Sequence, residues 1–212
     1  MDGPLRKTFH EEMADIEAGV VRLFALVTET LAAATEALLS GDRDTAALIH
    51  KSDDAIDKLN HDLQEVVERT VLLQAPVASD LRFLLSALRI VPELERSGDL
   101  AEHIAQRANV SLAADLTPSV RGTIHRMGAL GVEMWRAAAD AYVERDASAI
   151  ERIDALDDEM DALHDEISAA LLDEAIPRKA ALEMALVARF YERLGDHALH
   201  ITERVANLAP TP

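Results

Sequence analysis

The chain has 212 residues and a mass of 23.1 kDa; 49% of the residues are hydrophobic, only 3% are aromatic, and the formal net charge is −18. That charge argues against nucleic acid as a partner, because phosphate-backbone binding needs a basic surface, and the absence of cysteine removes disulfides and thiolate metal sites. No N-terminal apolar run resembles a signal peptide and no segment approaches a membrane span, so a cytoplasmic protein is expected.

Strand-forming residues never alternate over a useful stretch, and Ala, Leu, Glu, Asp and Arg dominate, which predicts an all-α fold. The breakers divide the chain into six helices of about 5–40, 43–74, 78–112, 118–145, 147–175 and 178–208. Gly41-Asp42 ends the first, with Asp42 or Asp44 available to cap the second. Pro76 ends the second. Thr117-Pro118 reads as the N-cap and first residue of the fourth. Arg145-Asp146 separates the fourth from the fifth, and Pro177 separates the last two.

The order of these helices repeats. Glu95-Arg96-Ser97-Gly98-Asp99 in the third recurs as Glu192-Arg193-Leu194-Gly195-Asp196 in the sixth, each followed by Ala and then His-Ile. Asp53-Asp54-Ala55-Ile56-Asp57 in the second recurs as Asp157-Asp158-Glu159-Met160-Asp161 in the fifth. Two tandem three-helix bundles related by a pseudo-twofold axis follow, the first over residues 1–115 and the second over 116–212. Gly98 and Gly195 each cost a helix about 1 kcal/mol relative to alanine. Their recurrence beside the acids predicts close approach of a neighbouring helix there.

Residues four apart share a helix face. At about 100° per residue, Asp99 lies about 40° from Glu95, and Leu84, Leu88 and Val91 fall within about 40° of the same direction. The acids therefore sit on an apolar stripe. Asp53 and Asp57 are placed in the same way beside Ile49, and Asp157 and Asp161 beside Ile153. Each bundle should bring four carboxylates into one groove: Asp53, Asp57, Glu95 and Asp99 in the first, Asp157, Asp161, Glu192 and Asp196 in the second. Such quartets must be protonated, paired with arginine (Arg96, Arg107, Arg193 and Arg204 are near in sequence) or bound to cations. A multivalent cation is the most economical of the three, because carboxylate oxygens suit hard ions. His61, His103, His164 and His200 stand three or four residues after an acid of the set. As ligands they would shift preference towards iron, manganese or zinc; otherwise they are surface histidines.

These motifs, with Phe83-Leu84-Leu85-Ser86-Ala87-Leu88-Arg89-Ile90 before the first signature and Ala188-Arg189-Phe190-Tyr191 before the second, resemble the PhoU family of bacterial phosphate-transport accessory and regulatory proteins. The resemblance covers essentially the whole chain. It implies two three-helix bundles and metal, iron or zinc, at the eight carboxylates. It also implies a non-enzymatic negative regulator of phosphate uptake and of the phosphate regulon. Its implied partners are the ATPase of a phosphate ABC transporter and a membrane sensor histidine kinase. Membrane association would be indirect, at the inner face through those partners, and a homodimer is expected. Leu100 departs from the family pattern, where the second copy has His197, and suggests a weaker first metal site. Two other readings compete: a metal-free helical adaptor, and a carboxylate-bridged metal oxidase. The oxidase would require paired Glu-x-x-His motifs, for which Asp161-Ala162-Leu163-His164 is a single partial approximation.

Overall fold

The computed structural model describes residues 4–110, 112–173, 176–206 and 208. They form six α-helices: α1 (Pro4–Ser40), α2 (Arg43–Gln74), α3 (Ala78–Gln106), α4 (Pro118–Glu144), α5 (Ala149–Ala170) and α6 (Arg178–Ala206). The helix ends follow the local chemistry. Gly41 takes φ +73°, a left-handed conformation that glycine adopts without a Cβ clash. Asp42 then caps α2, its Oδ1 accepting from the backbone N–H of Asp44 (3.0 Å) and Thr45 (3.1 Å). Thr117 Oγ1 caps α4 by accepting from Val120 N–H at 3.3 Å, with Pro118 as the first helical residue.

Two expected ends are corrected. The third helix stops at Gln106, not near 112, and continues as two 3₁₀ turns (Arg107–Val110 and Leu112–Asp115) that carry Ala108 and Leu112 into the core. The fifth stops at Ala170, short of 175; positions 174 and 175 lie outside the described residues. Asp146 does not cap α5 directly. It accepts from Ser148 N–H at 2.8 Å in the preceding turn.

Helices α1, α2 and α3 pack on one another, as do α4, α5 and α6, giving the two bundles. The bundles join through α1 against α4 and α3 against α6, each pair related by the internal repeat. Both pairs are antiparallel. Along α1 and α4, Gly131 faces Leu31, Gly128 faces Thr35, and Phe24 packs on Trp135 and Tyr142 with ring centroids 6.1 and 5.5 Å apart. Along α3 and α6, Arg107 meets Glu183, His103 meets Phe190, and Ser97 meets His197. Trp135 and Tyr142 are thus core residues, both fully buried.

Contrary to the sequence expectation, one segment does satisfy the length and composition of a membrane span: Phe9–Ser40 in α1. Its apolar stripe of Ile16, Val20, Leu23, Val27, Leu31 and Leu38 is spent inside the protein, each residue at most 1% exposed. The span-like composition arises because α1 packs against both its own bundle and α4.

Candidate metal centre

In the first bundle α2 supplies Asp53 and Asp57, and α3 supplies Glu95 and Asp99. Gly98 lies where the two helices meet: a Cβ there would stand 3.0 Å from the flexible end of Ile56, its Cδ1, and 3.7 Å from Asp53 Oδ1. Carboxylate oxygens of Asp53, Asp57 and Asp99 lie within 4.8 Å of one another. Asp53, Glu95 and Asp99 are half-buried and Asp57 is exposed. Burial, followed by the charges of Asp99, Glu102, Asp57 and Glu95, pushes the Asp53 carboxyl up to about 7. Burial, then neighbouring acids, also raises Glu95 and Asp99.

The second bundle repeats the arrangement with one difference. Asp157, Glu192 and Asp196 are half-buried and Asp161 is exposed, matching the first quartet position for position. Burial, then Asp196, Asp161 and Glu192, pushes Asp157 up to about 6. Glu192 is also raised, first by burial, although Arg189 beside it acts in the opposite sense through an ion pair one helical turn away. Among the described residues, these oxygens do not converge as the first three do.

The residues fit a metal ion. Asp53 Oδ1 and Glu192 Oε2 are buried and accept no hydrogen bond from the protein, an expensive condition for a carboxylate oxygen unless something else meets it. The converging donors are all carboxylate oxygens, the set preferred by hard cations. Of the arginines near in sequence, Arg96 bonds Glu93 at 3.2 Å and Arg107 lies 3.4 Å from Glu183, while in the second site Arg189 pairs with one oxygen of Glu192.

None of the four histidines is part of the converging group among the described residues. His61 and His200 are exposed. His103 stacks on Phe190 with centroids 5.5 Å apart, near enough to Asp99 to hold its pKa down in part. His164 acts likewise on Glu192. His197, which stands where the first repeat has Leu100, is turned towards α3. Its Nδ1 lies 2.9 Å from Ser97 Oγ and its Nε2 lies 3.7 Å from Glu93 Oε1, so it belongs to the α3–α6 seam. Ser97 already donates to Glu93 O at 2.7 Å and therefore accepts from His197 Nδ1–H, which fixes the tautomer. The Leu100/His197 difference between the repeats concerns this seam, where both side chains are buried.

Sequence reasoning missed Glu102 and His50. Glu102 is buried, raises Asp53, and accepts from Gln106 Nε2 at 2.9 Å; its Oε1 lies 2.5 Å from His50 Nδ1. The signal was present: Glu95, Asp99 and Glu102 are spaced i, i+4, i+7 along one face of α3. The repeat hid it, because the matching position is Leu199.

Paired antiparallel three-helix bundles, each carrying an Asp/Glu cluster at a glycine contact, define the class of protein. A family model described as the PhoU domain matches residues 20–108 and 124–205. The chain is 31% identical over 204 residues to "Phosphate-specific transport system accessory protein PhoU homolog 2" of Mycobacterium tuberculosis, covering 95% of this chain and 96% of that one. It is 31% identical over 201 residues to the "Phosphate-specific transport system accessory protein PhoU homolog" of Caulobacter vibrioides, covering 93% and 87%. The fold is similar to that of crystalline PhoU from Pseudomonas aeruginosa, with a TM-score of 0.86 and 27% identity over 94% of this chain and 98% of that one. It is likewise similar to the phosphate transport system regulatory protein PhoU from Streptococcus pneumoniae, with a TM-score of 0.83 and 27% identity over 94% and 96%. The chain belongs to the PhoU family.

Proposed function

We propose that this protein is a non-enzymatic, metal-binding regulator attached to a phosphate-specific transport system. It restrains uptake and keeps the phosphate regulon off when phosphate is plentiful, by contacts with the transporter ATPase and with a sensor histidine kinase. The link to phosphate transport rests on the family and on the names of its relatives. The metal reading rests on the mutually close oxygens of Asp53, Asp57 and Asp99, and on the buried Asp53 Oδ1 that has no hydrogen-bond donor. In the second bundle Asp157, Asp161, Glu192 and Asp196 play the same part. A bound cation supplies positive charge that offsets carboxylate repulsion. The chain's own residues hold the two helices of each site at the glycine contact and keep the acids in register. An all-oxygen set without histidine suits hard cations, manganese or ferric iron, better than zinc.

The protein would work in the cytoplasm, at the inner face of the membrane through its partners, and as a homodimer. Co-purification of tagged protein from phosphate-replete cells tests this assignment. Recovery of the transporter ATPase and the sensor kinase, reduced when phosphate is withdrawn, is the expected result. Recovery of neither under any phosphate regime would remove the regulatory reading.

A further inference from the structure

The protein carries 39 acidic and 21 basic residues, yet one groove between α3 and α6 is lined by arginine without any acid. Arg82 and Arg89, two helical turns apart on α3, meet Arg204 of α6 around a cavity of about 310 Å³, with Ser86 and Leu85 on its wall. Arg82 and Arg89 are exposed and Arg204 is half-buried. None of the three makes a salt bridge among the described residues, and the buried Arg204 Nε has no hydrogen-bond partner. Among the described residues no carboxylate lines the groove to offset these three positive charges.

The neighbouring cavity along the same seam is a useful contrast. There Arg96 and Arg107, the latter in the position that Arg204 occupies in the second repeat, are offset by Glu93 and Glu183, and Asp99 also lines the wall. At that end of the seam Arg193 also lines the cavity, so two of three arginines are paired with acids there, against none of three at the other end.

We propose that the Arg82–Arg89–Arg204 cavity is a binding site for a phosphate-class oxyanion, either free phosphate or the phosphate of a lipid headgroup. Arginine presents planar, paired donors that match two oxygens of such a group, and the Ser86 hydroxyl can donate to a third. The cavity is lined by none of the eight carboxylates, so the inference stands whether or not they hold metal.

The test uses the full chain in chelator, to silence any metal site. Thermal stability and calorimetric binding are measured with inorganic phosphate against chloride at matched ionic strength, and sedimentation with phosphatidylglycerol vesicles against phosphatidylcholine vesicles. The comparison protein is the double variant Arg82→Gln/Arg89→Gln, whose lost side chains are exposed and without salt bridges; circular dichroism confirms its fold. For a free ligand, phosphate raises the melting temperature of the parent beyond chloride, and the variant binds about tenfold or more weakly. For a headgroup, anionic vesicles pull down the parent and release the variant, with no response to free phosphate. The proposal is overturned if neither arm shows binding. Phosphate or vesicle binding of equal strength in the variant also overturns it.

Discussion

Gly195 lies so close to Asp157 that a Cβ on it would sit 2.7 Å from Asp157 Oδ1, with Met134 Cε 3.3 Å away on the other side. The glycine is what lets α6 run against the carboxylate-bearing stretch of α5. Its counterpart Gly98 is less confined, since its nearest neighbour is the terminal carbon of Ile56 at 3.0 Å. Alanine gains about 1 kcal/mol of helix propensity over glycine at either place. Gly195→Ala must displace a half-buried carboxylate, and we expect a net loss of about 1–3 kcal/mol. Gly98→Ala should be close to neutral. Chemical denaturation of the two variants checks the order, and an equally stable Gly195→Ala would show that the helices are not held this tightly.

The raised carboxylates make a pH prediction whose sign is definite. Asp53 titrates at about 7 and Asp157 at about 6 when folded, against an ordinary aspartate near 3.8. Between those limits the folded chain holds protons that the unfolded chain has lost, so stability falls as pH rises through the window. The cost is absent below about pH 4 and fully present above about 7. His50, raised first by its hydrogen bond to Glu102, acts in the same direction. His197 opposes them, because burial lowers its pKa and acidification must charge it inside the seam. In chelator the melting temperature should be higher at pH 5 than at pH 7.5. Asp53→Asn/Asp157→Asn should flatten the difference. A melting temperature that climbs steadily from pH 5 to 7.5 in the parent chain contradicts the account.

Across the bundle junction, Tyr191 and Thr35 share a buried hydrogen bond of 2.7 Å. Thr35 Oγ1 already donates to Leu31 O at 2.9 Å, so Tyr191 is the donor. Tyr191→Phe removes that donor from a fully buried position and should cost about 1–2 kcal/mol. Thr35→Val should cost a similar amount and the two should not add, because each variant breaks the same bond. A double-mutant cycle measures this, and strict additivity would mean that the bond contributes nothing across the junction.

Much of this architecture was legible in the chain because its signals are local. Asp42, Thr117 and Pro118 mark helix starts by hydrogen bonding to the next turn, and they do so here. The repeated Gly98 and Gly195 correctly announced close helix approach. What stayed hidden depends on which neighbour a side chain meets. His197 follows Asp196 directly, yet one residue is about 100° of rotation, enough to turn it away from the acids and into the seam. Glu102 joins the first cluster through i+7 spacing that only one repeat carries. The unequal convergence of the two quartets was likewise invisible, because it depends on the side-chain conformations of Asp157, Asp161 and Asp196, and the Arg189–Glu192 ion pair has no counterpart where the first repeat has Pro92.

Metal content by elemental analysis of the purified chain, after exhaustive dialysis against metal-free buffer, bears most directly on the carboxylate clusters. The account predicts retained iron or manganese in the parent. It predicts loss from the first site in Asp53→Asn/Asp99→Asn and loss from the second in Asp157→Asn/Asp196→Asn. A parent chain that dialyses to no bound metal, and that takes up none when iron or manganese is restored, would contradict it.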